Sequence, residues 1–191
     1  MPIAITDDHA ALQDTAADFL RKHDVRAAGR AMLENPTEEL PGFWNELCAL
    51  GWLGLAIPEE FGGSGYSLEE LVIVVEELGA QLAPGPFLPS AIVGATLAAV
   101  GDDATRRSLL PGLATGSTIG AVALSGDVTV TDAKASGDAG IVLGGGLAQL
   151  LLVATGDDVA VVEVGDGVTV EVPPALDPGR RSARVRLDGA P

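Results

Sequence analysis

The spacing of apolar residues along the chain changes near residue 117. Before that point apolar residues recur at intervals of three and four, as in Leu12, Ala16 and Phe19, and this predicts about six amphipathic helices. Beyond it, short valine-rich runs separated by glycine and aspartate predict strands. Helices followed by strands favour an α+β fold over alternating βαβ units. We therefore predict an all-helical domain over residues 1–117 and a small β-barrel-like domain over residues 118–191.

Polar residues, glycine and proline mark where the helices begin and end. Ser67 and Glu70 have the spacing of a capping box, in which the two side chains bind backbone amides at the start of a helix. Gly51 suits the end of a helix, and Pro111 is expected to shorten or kink the last one. The predicted helices begin after Thr6, near Val25, at Pro41, after Ser67, at Ser90 and at Asp102 or Asp103, and the last ends near residues 115–116.

Seven runs in the second part of the chain have the composition of strands. Gly-Asp sequences at residues 156–158 and 165–167 favour tight turns between them. Short strands joined by tight turns are typical of a meander or a small barrel. The predicted strands cover residues 119–124, 128–131, 140–143, 150–154, 159–164, 168–172 and 183–187.

The charge of the chain excludes several kinds of partner. Eleven Lys and Arg residues against 27 Asp and Glu residues give a net charge of −16. Such a surface repels phosphate backbones and anionic lipids, so we expect neither nucleic-acid nor membrane binding. No apolar run approaches the roughly 20 residues of a membrane span. The first residues have no basic region followed by an apolar one, as a signal peptide would. We expect a cytoplasmic protein.

The reactive residue types form no recognisable constellation. His9 and His23 lack the spacing of metal ligands and are expected at the surface, and the single cysteine, Cys48, is expected to be a small buried apolar residue. Adjacent glutamates on a helix point about 100° apart and cannot share one site. The glycine clusters at 62–65 and 144–146 lack the other residues of phosphate-binding loops and are interpreted as turns. Residue types alone therefore identify neither a metal site nor an active site.

Four segments, in order along the chain, carry a resemblance to a known family. Residues 51–65 read GWLGLAIPEEFGGSG, residues 76–79 read EELG, residues 106–116 read RRSLLPGLATG and residues 119–125 read IGAVALS. Together they resemble the acyl-CoA dehydrogenases over roughly residues 5–126. Several ordered matches are much more specific than any single motif.

The resemblance implies a fold and a chemistry. Members of the family have an N-terminal helical domain, a middle β-domain and a C-terminal helical bundle, and they bind FAD. They remove α and β hydrogens from an acyl-CoA and pass electrons to an electron-transfer flavoprotein. Residues 185–191 resemble the strand that precedes the bundle. The resemblance therefore implies that the catalytic glutamate, which lies on the bundle, is outside this chain and that no catalytic residue lies within it.

The segments that contact flavin in the family are altered here. Leu124 and Ser125 match its Leu-Thr pair and are the candidate cofactor-binding residues, but residues 126–128 replace the rest of the motif. The second flavin segment is reduced to residues 143–149, LGGGLAQ, without its aromatic and hydroxyl side chains. Each lost buried partner would cost on the order of 1–3 kcal/mol. We expect this part of the protein to bind FAD poorly.

Degenerate flavin segments resemble those of the actinobacterial acyl-CoA dehydrogenases of steroid side-chain breakdown, in which one of two homologous subunits or halves keeps the flavin site. The resemblance implies a second dehydrogenase subunit or half as partner. In the family the helix after EELG floors the acyl pocket, where Ser90 and Gly94 would leave room for a ring system. Close helix packing explains the same small residues equally well.

Three functions stay open at this point. The first is part of an FAD-dependent acyl-CoA dehydrogenase, with a steroid side-chain acyl-CoA as the candidate substrate. The second is a non-catalytic structural partner in a heteromeric dehydrogenase, which the altered flavin segments favour. The third is a stand-alone α+β binding module that needs neither flavin nor partner.

Overall fold

The computed structural model describes residues 5–35 and 37–191. Helices occupy the first part of the chain and strands the second, which confirms the predicted α+β class. Two short 3₁₀ turns, Trp52–Gly54 and Glu59–Phe61, lie within the motif at residues 51–65. The helices are α1 Asp7–Lys22, α2 Val25–Glu34, α3 Trp44–Ala49, α4 Leu68–Ala80, α5 Phe87–Val100 and α6 Asp103–Thr115.

The helix ends follow the predicted caps. The Thr6 hydroxyl accepts the His9 amide at 3.2 Å at the start of α1, and Ser67 and Glu70 form a capping box at the start of α4. At Gly51 the backbone has φ +75°, so α3 ends as the glycine predicts. Pro111 does not shorten α6, which runs on to Thr115. Pro111 is exposed, so water can reach the carbonyl group that its missing N–H leaves unpaired.

The strands are β1 Gly120–Ala123, β2 Asp127–Thr131, β3 Lys134–Leu143, β4 Leu150–Thr155, β5 Asp158–Glu163, β6 Val168–Glu171 and β7 Ser182–Ala190. They form one sheet in the order β5-β4-β1-β3-β7-β6, and β2 pairs with β3. Strand β1 is parallel to β4, with Val122 opposite Leu152, and antiparallel to β3, with Val122 opposite Leu143. A simple meander would be antiparallel throughout, so that alternative is wrong and the topology is mixed.

Helix α5 joins the helical layer to the sheet. Val93 of α5 lies against β1 so closely that a Cβ atom at Gly120 would be 2.9 Å from it. A cluster of buried residues from α5, α6 and β4, including Leu97, Leu113 and Leu152, fills this contact. Two further clusters fill the helical layer and the interior of the sheet. In the described residues no helix is both long and apolar enough to cross a membrane.

Candidate functional site

The carboxyl end of β1 carries the two residues that the resemblance assigns to flavin contact. Strand β1 ends at Ala123, and only Leu124, Ser125 and Gly126 precede β2, which begins at Asp127. Both Leu124 and Ser125 are exposed, and 74% of the accessible surface of Leu124 remains in contact with solvent. Both β1 and β2 pair antiparallel with β3 in the same register, so this connection continues along β3 without reversing the chain.

This β1–β2 connection lies directly on β3. A Cβ atom at Gly126 would be 2.4 Å from the carbonyl oxygen of Asp138, and one at Gly140 would be 2.1 Å from the carbonyl oxygen of Ser125. Side chains at either position would clash with backbone that belongs to the sheet, so both positions require glycine. The connection is therefore held flat against β3.

The loop at residues 144–149 uses its backbone amides within the protein. The amide of Gly144 donates to the Arg181 carbonyl at 3.1 Å, and that of Gln149 donates to the Ile119 carbonyl at 2.9 Å. The Gln149 side chain in turn accepts the Ile119 amide at 3.0 Å, so this glutamine closes the loop onto β1 from both directions. The amides of Gly145, Leu147 and Ala148 donate to the carbonyls of Val142, Gly144 and Gly145.

Ser90 and Gly94, the predicted substrate-pocket residues, lie on the buried side of α5. Ser90 is 1% exposed, and its hydroxyl accepts the Gly120 amide at 3.1 Å while donating to the Gly120 carbonyl at 3.3 Å. A Cβ atom at Gly94 would be 3.1 Å from Ile57. The two residues, about one helical turn apart, thus lie where α5 packs on β1 and on the motif at residues 51–65.

Sequence reasoning missed two charged residues beside the loop at 144–149. A Cβ atom at Gly146 would be 2.6 Å from the Glu38 carboxylate, and the Arg181 guanidinium donates to the Asn35 carbonyl. Burial raises the pKa of Glu38, and the charge of Arg181 opposes that rise. The pair Arg180-Arg181 is the sequence feature that could have indicated this cluster, because basic residues are rare in this acidic chain. Its partners, however, lie about 145 residues away along the chain, and sequence alone does not reveal such distant contacts.

The two histidines are more buried than the sequence predicts, and Cys48 is less buried than the sequence predicts. His9 and His23 are not at the surface, since their side chains are only 11% and 15% exposed, and each lies beside a glutamate. His23 also packs on Phe19, with 4.3 Å between ring centroids. Cys48 is partly buried, and this burial raises the pKa of its thiol to about 11. Among the described residues no group of three His, Cys, Asp or Glu could hold a metal ion.

Comparison with known proteins supports the resemblance to the acyl-CoA dehydrogenases. The model of the acyl-CoA dehydrogenase N-terminal domain matches residues 6–117. The acyl-CoA dehydrogenase IpdE2 of Mycolicibacterium smegmatis is 31% identical over 182 residues, which cover 95% of this chain and 52% of IpdE2. The ChsE4-ChsE5 complex from Mycobacterium tuberculosis superposes with a TM-score of 0.85 at 25% identity, over 100% of this chain and 56% of that one.

A variant of the Tcur3481-Tcur3483 steroid ACAD superposes with a TM-score of 0.84 at 27% identity, over 98% of this chain and 56% of that one. The chain therefore belongs to the acyl-CoA dehydrogenase family. It spans about half the length of IpdE2. The predicted family is confirmed, as is the likeness to actinobacterial steroid dehydrogenases.

Proposed function

We propose that this chain is part of an FAD-dependent acyl-CoA dehydrogenase, that it pairs with a second dehydrogenase subunit or half, and that the flavin is held by that partner. The α,β-dehydrogenation of an acyl-CoA belongs to the family, and FAD is the family's cofactor. The observation that carries the proposal is the three-residue connection from β1 to β2, which lies flat on β3.

Two features of the chain argue against a complete flavin site here. The connection after Ser125 is too short to wrap a pyrophosphate, and the close approach of Gly126 to Asp138 prevents it from moving toward β3. The amides of Gly144, Gly145, Leu147, Ala148 and Gln149, which could bind a flavin edge, already donate to carbonyls of this chain. The polar edge of a flavin buried against amides that already have acceptors would lack hydrogen-bond partners. Each such unpaired group costs on the order of 1–3 kcal/mol. Of the two residues that the resemblance assigns to flavin contact, Ser125 is the one that carries a hydroxyl group.

A strip of exposed apolar residues on the sheet supports the proposal of a partner. Leu124 directly follows β1, Ile141 and Leu143 lie on the adjacent strand β3, and the three residues are exposed by 74%, 53% and 37%. The pairing of Val122 with Leu143 places them on the same face, beside the area that α5 and α6 cover. Contiguous exposed apolar residues mark surfaces that another protein segment covers. In our proposal this face meets the helical bundle or the partner.

The substrate class rests on the relatives. The Tcur3481-Tcur3483 protein is a steroid ACAD, and ChsE4-ChsE5 is a complex of two subunits. By likeness we propose a steroid side-chain acyl-CoA as substrate and an electron-transfer flavoprotein as electron acceptor. Ser90 and Gly94 enter the proposal as small residues where α5 would border the acyl group. Their present contacts, with Gly120 and Ile57, serve packing equally well.

The second candidate is a non-catalytic structural partner, favoured by the same flavin geometry. An assay of the whole assembly separates the two. We would purify the native assembly that contains this chain, supply FAD, and follow the reduction of a ferrocenium acceptor with a steroid side-chain acyl-CoA and with butyryl-CoA. Oxidation of the steroid thioester that requires the presence of this chain would support the proposed function. Equal activity of the partner without it would favour the structural role.

A further inference from the structure

Three arginines converge on one cavity in an otherwise acidic protein. Arg26 and Arg30 of α2 and Arg180, just before β7, line a cavity of about 280 Å³, together with Leu33 and Leu82. We call this cavity the arginine groove. The chain carries 27 acidic residues against 11 basic ones, so like charges would not gather here by composition alone. Like charges that line one cavity repel one another, and a bound anion would relieve that repulsion.

The acidic residues do not neutralise the arginine groove. Among the described residues no hydrogen bond or ion pair involves the side chain of Arg30 or Arg180, and Arg26 donates only to the Ala80 carbonyl, at 3.1 Å. Asp177 is the acidic residue that lines the groove, and its Oδ1 accepts the Gly179 amide at 2.9 Å. Three guanidinium groups and one carboxylate leave a net charge of about +2.

A second, apolar cavity adjoins the arginine groove. It has a volume of about 150 Å³, lies between α3, α4 and the start of α5, and is lined by Leu47, Val75, Leu78, Phe87 and Leu88, with Arg180 at its edge. We call it the leucine cavity. Arg180 lines both cavities, so a ligand could occupy the two together. An apolar protein cavity of about 150 Å³ holds one benzene ring.

We propose that the two cavities form a binding site for a phosphate monoester that carries one ring-sized apolar group. The ring occupies the leucine cavity, and the phosphate binds Arg180 with Arg26 and Arg30. A phosphate monoester near neutral pH carries a charge of about −1.5 to −2, which matches the charge of the arginine groove. The planar guanidinium fork of arginine binds phosphate oxygens in pairs.

This site is separate from the proposed flavin and substrate regions. The lining of both cavities excludes Leu124, Ser125, Ser90 and Gly94. The proposal therefore does not depend on the dehydrogenase function, and the failure of one leaves the other standing.

The test titrates the intact purified assembly with phenyl phosphate, inorganic phosphate and phenol, and follows binding by ligand-observed NMR. Phenyl phosphate should bind at least about tenfold more tightly than either fragment, because only it fills both cavities. Arg180→Ala should weaken phenyl phosphate binding by about tenfold or more, the usual effect of losing a charged hydrogen bond. Arg21→Ala, which removes an exposed arginine outside the cavities, should change it by less than twofold.

A second variant tests the leucine cavity without weakening the fold. Gly79 lines that cavity within α4, and a Cβ atom there would meet nothing within 4 Å. Gly79→Leu should place a side chain at the cavity mouth, abolish the advantage of phenyl phosphate and leave inorganic phosphate binding as it is. Equal affinities for phenyl phosphate and inorganic phosphate in the wild-type protein would overturn the proposal. Unchanged binding by Arg180→Ala would overturn it as well.

Discussion

At the level of one residue, Gly63 shows why the sequence motif at residues 51–65 requires glycine. A Cβ atom there would lie 2.0 Å from the carbonyl oxygen of Ile57. The backbone approaches so closely because Gly65 donates to that same carbonyl and Ser64 donates to the Gly54 carbonyl, both at 2.9 Å. The motif at residues 51–65 is thus a folded turn that needs Gly63 for space and Gly51, Gly62 and Gly65 for their positive φ angles.

Gly63→Ala should therefore destabilise the protein strongly. The new methyl group must displace backbone that hydrogen bonds hold in place, so we expect a loss of about 3 kcal/mol or more in the free energy of unfolding. Gly42→Ala is the matched control, because a Cβ atom at Gly42 meets nothing within 4 Å. Its effect should stay within about 0.5 kcal/mol. Urea denaturation of both variants measures the difference, and equal stability would contradict the close approach.

At the scale of elements, the capping box sets the start of α4. The Ser67 hydroxyl donates to the Glu70 carboxylate at 2.6 Å, and the Ser67 amide donates to the same oxygen at 2.9 Å. These hydrogen bonds, that from the Ser67 side chain above all, lower the pKa of Glu70 to about 2. Since the folded pKa is the lower one, the stabilisation is present above about pH 4.5 and is lost as the pH falls toward 2.

Glu70→Gln should consequently lower stability by about 1 kcal/mol at pH 7. The difference in unfolding free energy between wild type and variant should shrink as the pH falls from 4.5 and close below pH 2, because the wild-type carboxyl group is then neutral, as the glutamine is. Glu69→Gln is the control, since the Glu69 side chain makes no hydrogen bond within the described residues. Urea melts at several pH values test this, and a difference that does not shrink between pH 4.5 and pH 2 would argue against a charged cap.

Ser90 connects two elements, because its hydroxyl binds both the amide and the carbonyl of Gly120. Ser90→Ala should cost about 1–3 kcal/mol, since it leaves those buried polar groups of β1 with one partner fewer. Ser108→Ala on α6, an exposed site, should cost less than about 0.5 kcal/mol. Thermal unfolding compares the two. Equal melting temperatures would mean that α5 and β1 associate through apolar packing alone.

Sequence alone predicted some elements and missed others for identifiable reasons. Caps are local, so Thr6 and Ser67 gave correct helix starts. Strand β3 begins at Lys134, six residues before the predicted Gly140, because Asp132 and Ala133 both adopt left-handed backbone in a tight hairpin. Glycine or asparagine is the usual signal for such a turn, and Ala133 gives none.

At the scale of the whole molecule, the order of helical and strand domains followed from periodicity, and the family followed from ordered motifs. The candidate site was less predictable. Ser90 is bound to β1, and Glu38 lies against Gly146, through contacts between residues distant in sequence. A single sequence carries no direct record of such long-range contacts. The topology with parallel β1 and β4 was hidden for the same reason.

The flavin content of the native assembly decides whether the partner alone holds the flavin. We would purify the assembly without denaturation and measure FAD absorbance against the amount of each dehydrogenase-like half. We expect one FAD for every two halves, because in our proposal the short connection after Ser125 and the engaged amides of residues 144, 145 and 147–149 give this half no complete flavin site. One FAD for each half would contradict it and would make Ser125 a genuine flavin contact.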